Sequence, residues 1–251
     1  MDLCIPVWKE NCDGYMLMKF MEKEQYREDF LDGKLFFNTT DYYSKCDQDG
    51  RGDMNEGNTF VMNLESPDML SANLEKIGDS YAIVVRDYIA NPSEYKKSTI
   101  LNYSSAINRK RKIICMYTMF LNVADQRIEP VDSKMEKEFG QYGVLILNRQ
   151  EFFKRVCLAI SKNNNLTEPQ LGFVKYISMK ENSGIIDWSP FVKKDDFNYQ
   201  NEFRITFINE NDSPFTLSLE QSLRDIAVPI NYEQFKDIHF ENGKLLYPIS
   251  M

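Results

Sequence analysis

The run Lys112–Leu121, KIICMYTMFL, constrains this chain more than any other segment. A membrane-spanning helix needs about 20 apolar residues, so the run is too short to span. Its length suits a buried strand better than a helix, which places it at the centre of a sheet. The sequence offers several neighbours for it. Tyr15–Phe20 (YMLMKF) reads as a first strand and Lys34–Asn38 (KLFFN) as a second. Between them, residues 22–32 read as a short helix with Tyr26, Phe30 and Leu31 on one stripe and Gly33 at its C-cap. Gly143–Asn148 and Phe173–Met179 read as further strands, and Tyr81–Tyr88 is rich in β-formers. Glu202–Ile208 (EFRITFI) alternates cleanly: Phe203, Ile205 and Phe207 face one way, Glu202, Arg204 and Thr206 the other.

Helical periodicity is clearest over residues 150–162, where Phe152, Phe153, Val156, Cys157 and Ile160 share a face. Ser133 and Glu136 have capping-box spacing, and Gly140 would end the helix they begin. Residues 94–108 fit a helix less clearly. Residues 44–58 are polar, contain Gly50, Gly52 and Gly57, and read as a loop. Asn242-Gly243 is a type I′ hairpin signal. Strands outnumber helices and do not alternate regularly with them. That predicts the α+β class, with mixed or antiparallel sheets and a few flanking helices. No Pro/Gly/Ser-rich linker and no repeat divides the chain, so residues 1–251 are read as a single domain.

Charge and cysteine usage narrow the setting. The formal net charge is −8, which argues against broad nucleic-acid binding because phosphate contact depends on clustered Lys and Arg. Arg109–Lys112 is the one basic run, read as a solvated loop ahead of the central strand. The five cysteines are odd in number and lack CxxC spacing, so they read as reduced thiols of a cytoplasmic protein. Cys115 and Cys157 lie in apolar stretches and read as small core residues. Neither a signal peptide nor a membrane span is expected.

His239 is the lone histidine. No GxSxG nucleophile motif accompanies it, and HExxH, zinc-spaced Cys/His, P-loop and post-strand GxGxxG patterns are all missing. Carboxylates therefore carry the candidate chemistry, and no metal ligands are assigned. One cluster is Arg51–Gly57 (RGDMNEG), where Asp53 and Glu56 would meet a cation or polar group and Arg51 a phosphate; a polar surface loop with a local ion pair is the plainer reading. The other is Tyr199–Ile205 (YQNEFRI), where strand alternation would put Gln200, Glu202 and Arg204 on one face. A half-exposed antiparallel strand would show the same pattern.

Gln200-Asn201-Glu202 resembles the Q-x-E signature of the ADP-ribosyltransferases, which sits at a comparable strand. The resemblance implies NAD as a substrate cofactor, Glu202 as the carboxylate stabilising an oxocarbenium-like transition state, and Gln200 as the amide orienting the acceptor. It also implies NAD lying between the first and middle strands, with Lys19 and Arg51 on phosphates, Tyr117 near the nicotinamide and Arg204 in the cofactor site. Lys19 stands where that family has Arg or His, and Met116-Tyr117-Thr118-Met119 where it has Ser-Thr-Ser.

A second resemblance covers more of the chain. Tyr15–Phe20, Gly33–Phe37, Asp53–Glu56 and Tyr199–Ile205 are similar to motifs of an uncharacterised bacterial domain family found near phage-defence and abortive-infection genes. Three functions follow as expectations. The first is an NAD-dependent ADP-ribosyltransferase-like toxin or defence effector acting on a protein or nucleic-acid acceptor. The second is a non-enzymatic nucleotide- or protein-binding module. The third is a hydrolase or nuclease using Asp53, Glu56 and Glu202 with a divalent cation.

Overall fold

The computed structural model describes residues 2–4, 12–46, 50–63, 100–103, 106–179, 181–182 and 184–248. The strand expected over 81–88 lies outside them, as does much of 94–108.

In chain order, the first strands are β1 (Asp2–Cys4), β2 (Gly14–Met21) and β3 (Lys34–Thr39), with helix α1 (Glu24–Leu31) between the latter two and α2 (Thr40–Lys45) after them. Next come β4 (Phe60–Asn63), β5 (Ile100–Tyr103), the turn α3 (Ala106–Arg109) and the long strand β6 (Arg111–Asn122). Short β7 (Arg127–Ile128), helix α4 (Lys134–Phe139), β8 (Tyr142–Ile146) and helix α5 (Arg149–Ser161) follow. The chain continues through β9 (Thr167–Phe173), β10 (Lys175–Ile177), β11 (Gly184–Asp187), β12 (Val192–Lys194), a 3-10 helix (Asp195–Gln200) and β13 (Glu202–Ile208). It closes with β14 (Phe215–Ser218), β15 (Ala227–Asn231), α6 (Tyr232–Lys236), and the hairpin β16 (His239–Glu241) and β17 (Lys244–Leu246).

The protein is α+β. Its main sheet runs β1-β9-β13-β6-β2-β8-β15, antiparallel at every step except the parallel β1–β9 pair. β6 is central, as its apolar run predicts. One edge pairs with β13 from Arg111 to Tyr117. The other edge is shared: β2 takes Tyr117 to Leu121, while β3 takes only Ile113 and Lys112. Beyond Met18, β2 follows β8 as far as Met21 and leaves β6 behind. Ile114, Cys115 and Met116 therefore have no strand partner on that edge among the described residues. The sheet opens there.

Both faces of the sheet are covered. One packs Leu17, Ile114, Phe203, Ile205 and Phe207 against Phe30 of α1 and Phe152, Val156 and Ile160 of α5. Rings interlock there, with Phe37 and Phe207 centroids 4.6 Å apart and Phe173 edge-on to Phe203 at 5.0 Å. The other face packs Met18, Phe20, Tyr117, Met119 and Leu145 against Tyr232 and Phe235 of α6. Three-stranded β11-β4-β5 and the parallel pair β10-β12 lie outside this sheet. Among the described residues, no helix is long and apolar enough to cross a membrane.

Several local expectations change. The alternating polar face of β13 is not half-exposed; every residue of the strand is buried. Arg111 and Lys112 are not solvated but buried within β6, Arg111 bonded to Thr206 and Glu168, Lys112 to the Asn211 carbonyl. Phe173–Met179 is divided between the end of β9 and β10. Ser133 adopts helical backbone angles and its side chain does not cap α4; Asp132 accepts from the Lys134 amide at 2.8 Å instead. The Asn242-Gly243 turn forms as expected, with φ of 50° and 75°.

Candidate functional site

The opening in the sheet lines a cleft of about 700 Å³. That volume falls in the range of small-molecule and cofactor sites. Lys19 on β2, Cys115 and Tyr117 on β6, Gln200 from the 3-10 helix, and Glu202 and Arg204 on β13 line it. Arg51 and Glu56 reach it from the loop after α2. All six residues singled out in sequence, Lys19, Arg51, Tyr117, Gln200, Glu202 and Arg204, thus share one cavity.

Their placement differs from simple strand alternation. Gln200 ends the 3-10 helix, and Asn201 takes left-handed angles of 41° and 50°, so the strand register begins at Glu202. Asn tolerates this conformation better than most residues, because its short side chain hydrogen-bonds locally. The Asn201 side chain donates towards the Tyr117 hydroxyl at 3.4 Å, and its carbonyl accepts from the Thr118 amide at 2.8 Å. The kink is therefore fastened to β6.

The deep wall is a chain of alternating charges. Lys193 Nζ donates to Gln200 Oε1 at 2.6 Å and to Glu202 Oε1 at 2.9 Å. Glu202 Oε2 accepts from Arg204 Nε at 2.6 Å. Arg204 then grips Glu56 with both terminal nitrogens, at 3.1 and 3.0 Å, and donates to the Pro190 carbonyl at 2.6 Å. Lys193, Glu202, Arg204 and Glu56 are all buried. Burial raises the Glu202 carboxyl, but Arg204 and Lys193 outweigh it and hold the group well below the usual carboxylate range. Burial pushes Glu56 up to about 7 against the pull of Arg204. Burial also drives the Cys115 thiol up to about 12, so it stays protonated.

Gln200 is occupied at both ends. Its amide nitrogen donates to the Gly50 carbonyl at 2.6 Å and to the Tyr199 hydroxyl at 3.1 Å, while its oxygen holds Lys193. It ties the loop to the wall. Arg51 pairs with Glu22 at 2.7 Å and donates to the Glu138 carbonyl at 2.9 Å, across the rim.

Lys19 differs from the other cations. Its Nζ donates to the Cys115 carbonyl at 2.8 Å, closing the edge that β2 abandons, and it makes no ion pair among the described residues. Desolvation lowers its pKa. The Lys19 ammonium keeps donor capacity that is unused among the described residues.

Lys193 is the residue of the candidate site that sequence reasoning missed. Val192-Lys193-Lys194-Asp195-Asp196 looks like a solvated charge run. Only the strand geometry of β12, which buries Lys193 and leaves its neighbours half-exposed, distinguishes it. The plainer reading of Arg51–Gly57 as a polar surface loop does not hold. Asp53, Asn55, Glu56 and Asn58 are buried, and the ion pair of Arg51 is with Glu22. His239 is exposed on the C-terminal hairpin and does not line the cleft.

No family model, no curated protein and no solved structure matches this chain.

The chemistry of the cleft must then identify its ligand. Five basic side chains line it (Lys19, Lys34, Arg51, Lys193, Arg204) against four acidic ones (Glu22, Asp29, Glu56, Glu202). With Glu56 titrating near 7, the lining carries a positive excess in a protein of net charge −8. A guanidinium, Arg204, already occupies the space between Glu56 and Glu202, and Asp53 does not reach the cleft. That arrangement disfavours a divalent cation bridging those carboxylates. Among the described residues no group of three His, Cys, Asp or Glu is placed to hold a metal ion.

Proposed function

We propose that the protein binds a phosphate-bearing small molecule in the cleft between β2 and β6. Lys19 carries this reading: an ammonium at the sheet opening that, among the described residues, has no carboxylate partner and a single backbone acceptor. Arg51 at the rim and the positive excess of the lining act in the same direction. Charge-assisted hydrogen bonds to phosphate oxygens are stronger than neutral ones, and they strengthen further where water is excluded. Titration calorimetry with pyrophosphate tests the reading. Lys19→Gln should weaken binding about tenfold, the order expected for one charged hydrogen bond. Unchanged affinity in a folded Lys19→Gln variant rejects it.

ADP-ribosyl transfer from NAD is a second reading, favoured by one observation: Gln200, Glu202 and Tyr117 line the same cleft, with Glu202 directly paired to Tyr117 across β13 and β6. In such a reaction the nicotinamide–ribose bond breaks and nicotinamide leaves with the electron pair. A carboxylate beside the ribose stabilises the resulting cation. Glu202 starts with both oxygens on cations, which quenches its field. Transfer therefore requires the NAD phosphates to draw Lys193 or Arg204 away from it. Nicotinamide release from NAD is the measurement. Release that Glu202→Gln lowers by at least a hundredfold, with NAD affinity retained, supports transfer. Binding without release removes transfer and leaves the anion site standing. A protein or nucleic-acid acceptor belongs to this second reading only.

A further inference from the structure

The outer part of the cleft differs from its charged wall. Tyr26 on α1, Phe36 on β3 and Tyr42 on α2 are 49%, 56% and 45% exposed, and they are the only aromatic side chains this open among the described residues. All three line this one cleft. A chain with 17 Phe and 14 Tyr elsewhere keeps its described rings in the core or half-covered, so the grouping needs a cause. Strand alternation explains how it arises. Leu35 and Phe37 enter the core, which turns Lys34, Phe36 and Asn38 toward the cleft. It does not explain why an outward position of β3 carries phenylalanine, where a polar residue would satisfy the strand equally well.

The rings also differ in availability. Lys23 lies 5.4 Å from the Tyr26 centroid, and Tyr43 meets Tyr42 edge-on at 5.5 Å. Phe36 has no ring or cation partner among the described residues. It lines the cleft as the most exposed of the three rings.

A cationic interior and an aromatic mouth define a ligand with two parts, an anionic group and a flat ring. We infer that the ligand is a nucleoside phosphate, its phosphate directed to Lys19 and its base stacked on Phe36 with Tyr42 and Tyr26 beside it. This rests on the anion reading of the cleft and adds the class of ligand. Stacking on an aromatic face suits any base, because every base has a π-face. The mouth therefore selects for the presence of a base rather than for one particular base.

Calorimetry with pyrophosphate, ribose 5-phosphate, AMP and ADP provides the test, on the wild-type chain and on Phe36→Ala, Tyr42→Ala and Phe36→Tyr. ADP should bind at least tenfold tighter than pyrophosphate. Phe36→Ala and Tyr42→Ala should each weaken ADP about tenfold and leave pyrophosphate unchanged, while Phe36→Tyr keeps the wild-type preference. The side chains are exposed, and matching thermal melts will show that the variants fold. ADP binding no tighter than pyrophosphate overturns the inference, as does an equal loss for both ligands in the alanine variants. In either case the anion site survives. Absence of binding by every compound, pyrophosphate included, overturns the anion reading and this inference together.

Discussion

Arg204 holds the deep wall of the cleft through contacts to Glu202, Glu56 and the Pro190 carbonyl, at 2% relative exposure. Removing one member of a buried ion pair leaves the other charge desolvated and uncompensated. Arg204→Met should therefore cost about 3–5 kcal/mol in urea unfolding. Adding Glu202→Gln and Glu56→Gln to it should recover part of that loss. Glu56 makes stability depend on pH in a defined direction. Its folded pKa of about 7 lies above the ordinary value of 4.5. The stability it contributes is full below about 4.5 and is lost as pH rises through 7. Glu202 is shifted downward, so its contribution is present above the ordinary carboxylate range and lost only in acid. Between pH 5 and 8, wild type should lose on the order of 3 kcal/mol relative to Glu56→Gln, measured by urea unfolding across that range. Anion affinity should rise as pH falls through 7, since Glu56 then sheds its negative charge, and Glu56→Gln should flatten that rise. Of this network, Glu202 and Arg204 were legible because EFRITFI alternates so regularly. Lys193 was not, because nothing in a run of adjacent charges marks which one folds inward. Nor was the burial of Glu56, which depends on a loop closing over β13 from far away in sequence.

The elements with strong local signals formed as read. β13 has the expected bounds, β6 is one residue longer at each end, α5 keeps its apolar face, and the Asn-Gly hairpin turns where it should. What the pattern could not reveal is pairing. Both β2 and β3 look like neighbours of β6, but their sharing of one edge depends on where β2 departs. The α4 cap shows the limit of motif reading: Ser133 has the right spacing and the wrong backbone angles, so Asp132 does the bonding. The far end of α4 is firmer. Gly140 has φ 99° and ψ 171°, a region almost reserved for glycine, and a Cβ there would lie 2.5 Å from the Met21 carbonyl. Gly140→Ala should lower stability by about 1–3 kcal/mol, read as a fall in the unfolding midpoint. Glu22, its other close neighbour, would shift with it and loosen the pair with Arg51.

For the molecule as a whole, a net charge of −8 surrounds a site whose lining is positive. An anion held there binds the folded chain and not the unfolded one. At a hundred times its dissociation constant it should add about 2.7 kcal/mol of stability. For a chain of this size that corresponds to a rise of roughly 5–10 °C in the melting temperature. Thermal scans with pyrophosphate against chloride at equal ionic strength should show the full rise in wild type and about half of it in Lys19→Gln, whose roughly tenfold weaker binding leaves it at about ten times its own dissociation constant. The departure of β2 from β6 also fixes how wide the slot can be. Among the described residues three successive positions of β6 lack a strand partner on that edge, and each spans about 3.3 Å, so the aperture is roughly 10 Å long. It is graduated in whole residues. Zipping the two strands together by one further step would shorten it by a third, and unzipping them by one would lengthen it as much. Differences in ligand size among proteins built this way would then arise in jumps, through the point at which one ribbon peels from another, with no side chain in the site exchanged.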